Sequence, residues 1–117
     1  MKTFLAIYLG TPAGRAAWDK LDEATRQARM TSGMKAWHAW QDSHKAVTLV
    51  PGGPLGKTKR VSASGIADTK NAMTGYIVVQ AETQEDAARM FEGHPHFTIF
   101  PGDSVEIMEC LPIPGAS

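Results

Sequence analysis

Apolar residues cluster in several short runs along the chain, and these runs predict β-strands. Residues 3–9 combine β-branched, aromatic and aliphatic side chains, which is typical of a strand. The Pro-Gly-Gly-Pro sequence at 51–54 is a strong turn signal, and we expect it to end a second strand. The predicted strands cover residues 3–9, 47–50, 59–66, 74–81 and 104–111.

Spacings of three and four residues predict one long helix over 22–44, after a shorter helical stretch at 16–21. Asp22 is a suitable N-cap for the long helix. Gly33 should cost about 1 kcal/mol relative to Ala within a helix, so we expect a break at 31–33. The predicted apolar stripe comprises Met30, Met34, Trp37, Gln41 and His44, and Trp40 widens it.

A second helix is predicted after the fourth strand, and its position defines the fold class. Thr83 and Asp86 form an approximate capping box, and Gly93 is a natural end for this helix. The element order is then β-α-β-β-β-α-β, which becomes two β-α-β halves when the extra strand near Lys59 is set aside. We therefore expect one α+β domain over residues 1–117, with a ferredoxin-like antiparallel sheet and both helices on one face.

Two of the predicted strands are apolar on both sides, which predicts a dimer. A sheet with helices on one face only should alternate between apolar and polar side chains. The chain offers no further helix to cover the second face, so we expect a homodimer through the sheet faces, forming a dimeric α+β barrel. In the first strand Phe4, Ala6 and Tyr8 lie on one side and Leu5, Ile7 and Leu9 on the other.

Composition narrows the function classes. The 117 residues are 43% hydrophobic with a formal net charge of zero, so neither nucleic acid nor membrane is an expected partner. Cys110 is the single cysteine, which fits a cytoplasmic protein and leaves no internal disulfide. Residues 2–17 resemble a very short signal peptide, but a first strand is the preferred interpretation. No cofactor is expected, because Gly-Lys-Thr at 56–58 lacks the glycine that a phosphate-binding loop requires at the position of Pro51.

The sequence around His94 and His96 carries the candidate chemistry. Imidazole titrates near neutrality, so either side chain could transfer protons. A catalytic zinc site needs a third protein ligand, and the sequence offers no obvious one beyond Asp103 as the nearest candidate, so we predict no metal. An equally weighted interpretation is that His94 caps the carbonyl groups at the end of the second helix. His38 lies at the rim of the long helix, either facing a cleft or holding a local partner.

The chain also offers candidates for substrate binding. Lys59 and Arg60 form a basic run, which either protects a strand edge or attracts an anionic substrate. Trp37 belongs either to the core or to the wall of an apolar pocket.

The order and spacing of several short motifs resemble the YCII-related family, in the branch that includes the DGPF-domain proteins. The similarity covers nearly the whole chain. It rests on Gly-Gly-Pro-Leu at 52–55, Ala-Asp-Thr-Lys at 67–70, Gly-Tyr at 75–76, His-Pro at 94–95 and Val-Glu-Ile at 105–107.

This resemblance implies a dimeric α+β barrel, related to muconolactone isomerase-like and dehydrochlorinase-like enzymes that act on small oxygenated rings. The family often carries a His and an Asp in a cleft between helix and sheet. His94 matches the family's His-Pro motif, and His38 resembles the histidine of the long helix. The Asp-Gly-Pro-Phe stretch is replaced by Ala-Ser-Gly-Ile at 63–66, so the acidic residue is missing and Asp68 is a conjectured substitute.

Two hypotheses follow. In the first, the protein is an isomerase or lyase acting on a small molecule, with His94 as general acid or base and His96 or His38 assisting. Lys59 or Arg60 would then hold a developing oxyanion. In the second, it is a non-catalytic dimeric binding or accessory domain. As an accessory domain of a larger assembly, it would dock through its Pro-rich tail at 112–115.

Overall fold

The computed structural model describes residues 1–115 and contains a four-stranded antiparallel sheet with helices packed on one face. Two antiparallel strands outside this sheet form a separate hairpin. In chain order the elements are β1 (Lys2–Gly10), α1 (Pro12–Asp19), α2 (Glu23–Ser43), a 3₁₀ turn (Lys45–Val47), β2 (Thr48–Pro54), β3 (Thr58–Ser62), β4 (Gly65–Thr69), β5 (Met73–Ala81), α3 (Gln84–Arg89), α4 (Pro95–Thr98) and β6 (Gly102–Glu109).

The strand order in the main sheet is β2-β5-β1-β6, with every neighbouring pair antiparallel. Helix α2 connects β1 to the edge strand β2, and α3 and α4 connect β5 to the opposite edge strand β6. Two interleaved β-α-β units therefore build the sheet, and the predicted ferredoxin-like α+β fold is confirmed.

The core lies between the helices and one face of the sheet, which we call the inner face. Alternate residues of β1 and β5 supply it, because side chains of a strand point to opposite sides. Trp37 and Trp40 of α2 pack against this layer from above. The buried side chains of the core are Phe4, Ala6, Tyr8, Ile77, Val79, Ala81, Ala87 and Phe91.

The opposite side of the sheet, which we call the outer face, also carries apolar side chains, with Glu106 of β6 beside Ile7. Leu5, Ile7 and Val78 lie there and are only partly buried, and Met108 beside them is 43% exposed. No helix of residues 1–115 covers these side chains. The single chain therefore has apolar side chains on both faces of the sheet, as the sequence predicted.

The predicted strand over 59–66 is wrong, because this segment folds back on itself. Strands β3 and β4 pair only with each other, and residues 63–64 form the turn between them. Gly65 follows that turn with φ of 105°, a conformation that side chains rarely adopt. The resulting hairpin, residues 58–69, is called the arm, and Val61 near its tip is 75% exposed.

The predicted helix break at 31–33 is wrong, because α2 runs unbroken through Gly33. Gly33 is buried against the Phe100 ring, and a Cβ at this position would lie 2.6 Å from two of the ring carbons. The glycine therefore allows close packing of α2 against the segment before β6. The helix forms despite the low helix propensity of glycine.

The predicted strand end at 51–54 is also wrong. Strand β2 continues to Pro54, with register shifts between Thr48 and Val50 and between Val50 and Gly53. Gly52 has φ of 64°, and a Cβ there would lie 1.9 Å from the Tyr76 carbonyl oxygen. The glycines thus let an irregular edge strand approach β5 closely instead of turning away.

Candidate functional site

A cavity of about 960 Å³ opens between α2, the start of α1 and the end of the sheet where β2 and β5 meet. Apolar and aromatic groups form most of its wall, with a few polar groups among them. This combination is typical of small-molecule sites. The lining residues with aromatic or ionisable side chains are Tyr8, Arg15, Trp37, His38, Lys70, Tyr76, His96 and Phe100.

His94 lies behind the cavity wall and is completely buried, with 0% of its surface exposed. Aromatic rings surround its imidazole, whose centroid lies 4.5 Å from that of Trp37 and 4.8 Å from that of Trp40. Tyr8 and Phe91 complete this enclosure. The ring therefore reaches a ligand only through one of its neighbours.

The backbone fixes the tautomer of His94. The N–H of His96 donates to Nδ1 of His94 at 3.0 Å, so His94 is the N-cap of α4. Because Nδ1 accepts, the neutral ring carries its proton on Nε2. The histidine thus caps the helix that follows it, whereas the sequence hypothesis placed it on the carbonyl groups of the helix before it.

The Tyr8 hydroxyl contacts the second ring nitrogen of His94. Nε2 of His94 lies 3.5 Å from the Tyr8 hydroxyl oxygen, which is a long contact in which the ring N–H donates and the hydroxyl accepts. Since neither nitrogen of His94 is left to accept, the Tyr8 hydroxyl hydrogen is free to donate to a group in the cavity. Tyr8 is therefore a hydrogen-bond donor at the cavity wall.

Burial keeps both groups uncharged at neutral pH. Loss of solvent lowers the pKa of His94 to about 4, and the nearby His96 and His44 lower it further. Burial also raises the pKa of Tyr8 well above its usual range. The pair is a neutral imidazole beside a neutral phenol, so His94 positions Tyr8 and does not itself reach a ligand as a base.

His96 lines the cavity and is held by the backbone. Its Nε2 donates to the Leu9 carbonyl at 2.7 Å. Burial lowers its pKa, while the carbonyl groups of Leu9 and Ser104 and the charge of Asp103 oppose that change. Gly102 packs against the ring, and a Cβ there would lie 2.3 Å from two ring atoms. The imidazole is therefore fixed in one orientation.

The remaining predicted site residues divide into two groups. His38 and Trp37 line the cavity, and His38 is exposed at its mouth on α2. Lys59, Arg60 and Asp68 lie on the arm and do not line the cavity of this chain. Lys59 forms an exposed ion pair with Asp68 across the two strands.

Sequence reasoning missed Tyr8, Arg15 and Lys70 as lining residues. Tyr8 alternates with Phe4 and Ala6 on the inner face, so the sequence marked it as core. Nothing in the sequence distinguishes Arg15 and Lys70 from other exposed cations. Their placement depends on where α1 and the segment before β5 lie relative to the sheet.

Within residues 1–115, no three His, Cys, Asp or Glu side chains converge in an arrangement that could hold a metal ion. Over the same residues, no helix is both long enough and apolar enough to cross a membrane.

Comparison with solved structures gives an informative match. No protein-family model and no curated protein sequence matches the chain. A solved structure similar to this one is the 5-chloro-2-hydroxyhydroquinone dehydrochlorinase of Burkholderia phenoliruptrix AC1100 in complex with 2,5-dihydroxybenzoquinone. The TM-score is 0.52 at 19% sequence identity, over 91% of this chain and 90% of the dehydrochlorinase. At that identity the likeness establishes the fold alone, and the two proteins share a ferredoxin-like α+β architecture.

Proposed function

We propose that the protein is a small-molecule enzyme of the lyase or isomerase class, with its substrate in the cavity beside Tyr8. The observation that carries this proposal is the Tyr8–His94 pair. A buried neutral imidazole, with its tautomer fixed by a backbone N–H, leaves the Tyr8 hydroxyl free to donate into an apolar cavity. Donors fixed in this way stabilise an oxygen that gains negative charge during a reaction.

The proposed chemistry is removal of a proton from a ring compound, followed by elimination or by proton return at another position. His38, which is exposed at the mouth, takes the proton as general base. The Tyr8 hydroxyl donates to the ring oxygen that becomes an enolate. His94 is a positioning residue here, and His96 forms part of the rigid wall.

The structural neighbour supports the choice of reaction class. Dehydrochlorination of a chlorinated hydroxyhydroquinone removes one proton and one chloride, which leaves a quinone, and no oxidant is consumed. That step requires a base and an oxyanion donor, and His38 and Tyr8 are suited to these two roles. Membership of the YCII-related family, to which the short motifs pointed, is part of the same proposal.

The test uses the neighbour's substrate class. We would incubate the protein with 5-chloro-2-hydroxyhydroquinone and with unchlorinated hydroxylated rings, and measure chloride release and isomer formation. Tyr8→Phe should lower kcat about 100-fold with little change in KM, because one oxyanion donor is lost in the transition state. Thermal unfolding and circular dichroism would verify that the variant is folded. Undiminished turnover by Tyr8→Phe would refute the assignment, as would the absence of turnover by the wild-type protein.

A second candidate function is a non-catalytic ligand-binding domain. It is favoured by the hydrogen bonds that the histidine rings already make to the backbone, since His94 caps α4 and His96 donates to the Leu9 carbonyl. This alternative predicts ligand binding without turnover, and an affinity that is independent of His38.

We also propose that two copies associate through the outer face of the sheet. Leu5, Ile7 and Val78 form a contiguous apolar surface, and Met108 extends it on β6. Monomeric proteins rarely leave large apolar patches in contact with water. Packing two such sheets face to face would bury both patches and produce a two-fold α+β barrel.

A further inference from the structure

The charges that line the cavity all have one sign. Arg15 and Lys70 line it, and no Asp or Glu side chain of residues 1–115 does so. The chain as a whole has 12 basic and 12 acidic residues, so this imbalance is local and does not reflect the composition. The two cations come from separate elements, because Arg15 belongs to α1 and Lys70 lies in the connection before β5.

Both cations are able to bind a ligand. Arg15 contacts Asp19 through Nε at 3.4 Å, an exposed contact that leaves the terminal guanidinium N–H groups available. Lys70 forms no ion pair with any carboxylate in the described part of the chain. The lysine and arginine side chains that line the cavity are therefore not matched by an acidic side chain on its wall, and Asp19, which pairs with Arg15, does not line the cavity.

The size of the cavity leaves room for a ligand of more than one ring. Its volume of about 960 Å³ is near the upper end of the range of roughly 300–1,000 Å³ that sites for drug-sized ligands occupy. Trp37 and Phe100 both line the cavity, with ring centroids 5.9 Å apart and ring planes inclined by 61°. A planar aromatic ligand can stack on such an aromatic side chain of the wall.

We infer that the ligand is an aromatic or quinonoid acid, built either on one ring with an acidic substituent or on two rings. Its planar body lies against Trp37 and Phe100, and its anionic group lies at the mouth between Arg15 and Lys70. An oxygen at the other end accepts from Tyr8. This inference rests on the proposed function for the site, but it concerns binding and not turnover.

Three probes of matched shape test the charge preference. They are 2-naphthoate, 2-naphthalenemethanol and 2-naphthylmethylamine, which present an anion, a neutral group and a cation on the same two rings. Titration calorimetry at low ionic strength should give a dissociation constant for the acid about tenfold lower than that for the alcohol, and the amine should bind most weakly. Added salt should weaken binding of the acid and leave that of the alcohol unchanged.

A double variant tests the residues. Arg15→Met with Lys70→Met should weaken binding of 2-naphthoate about tenfold and leave the alcohol unaffected. Arg89→Met with Lys45→Met is the matched control, because it removes the same two charge types from outside the cavity. Arg89, like Arg15, pairs with an acidic residue of its own helix. This control pair should bind the acid as the wild type does.

Several outcomes would overturn the inference. They are equal or tighter binding of the alcohol or the amine, an unchanged acid-to-alcohol ratio in the cavity variant, and no binding of the acid at millimolar concentration. If the protein is not an enzyme, the binding and turnover experiments should give a different combination of results. Binding of the acid with the predicted charge dependence, in a protein that turns over no hydroxylated ring, would refute the enzyme proposal and leave this one intact.

Discussion

The same strands build the two faces of the main sheet, but the helices bury only one of these faces. On the inner face Phe4 and Val79 are fully buried beneath the helices. On the outer face Leu5 and Val78, each adjacent in sequence to one of those residues, remain partly exposed. Both faces are apolar, so hydrophobicity alone does not distinguish the face that folds the chain from the face available to a partner.

The difference shows what each face contributes. The inner face holds Tyr8 and supports His94 and His96, so it is both core and site wall. On the outer face Tyr76, which lies opposite Ile7, lines the cavity, but Leu5, Ile7 and Val78 do not. A change on the inner face should therefore alter stability and function together, while a change on the outer face should alter association.

The largest expected effect comes from Phe4→Ala. Removing a fully buried aromatic ring should lower the free energy of unfolding by about 4 kcal/mol, from lost burial and the cavity left behind. Urea denaturation at low protein concentration measures it. Leu5→Ala is the comparison on the outer face and should cost less than about 2 kcal/mol, because Leu5 is only partly buried. Equal losses would show that the outer face is covered even in the dilute protein.

The next effect in size is a dependence of stability on pH. The pKa of His94 falls from 6.5 in the unfolded chain to about 4 in the folded protein, so between these values the unfolded chain binds more protons. Stability should therefore rise with pH from 4 to 6.5, by about 3 kcal/mol, and then stay level. His94→Asn retains an oxygen that can cap α4 and does not titrate, so its profile should be flatter over this interval. Parallel profiles for the two proteins would contradict the assignment.

The smallest effect on chain stability should come from Ile7→Lys on the outer face. The free energy of unfolding of the single chain should change by less than about 1 kcal/mol, since the lysine can reach solvent. Association should be lost, because the charge would be buried between two sheets. Sedimentation velocity at micromolar concentration should give the wild type twice the mass of the 12.6 kDa chain and the variant a single copy. Ala39→Lys, on an exposed position of α2, is the control and should remain dimeric. A monomeric wild type would eliminate the dimer.

Much of the fold was predictable because its signals are local. Runs of apolar residues marked β1 and β5, and Thr83 marked the start of α3, where its hydroxyl accepts from the Asp86 N–H. The errors involve glycines with a tertiary role. Gly33 was expected to break a helix, but it makes room for the Phe100 ring, which lies 67 residues further along the chain.

The candidate site was less predictable. The His94–His96 segment was found because histidine is chemically conspicuous, but the orientation of His94 depends on one backbone N–H. Tyr8 was hidden within an ordinary strand pattern. The basic residues chosen from sequence, Lys59 and Arg60, lie on the arm, while Arg15 and Lys70 line the cavity. The sequence does not show which basic side chains line the cavity, because their positions depend on how α1 and β5 pack.

The strand order also has a consequence for synthesis of the chain. Strand β1 lies at the centre of the sheet, and both of its neighbours, β5 and β6, begin more than 60 residues after it ends. At roughly 5–20 residues per second, a ribosome needs several seconds to produce them. During that interval β1 is an apolar strand with two unpaired edges, so a nascent chain stalled before residue 73 should be a preferred client for chaperones that bind extended apolar segments.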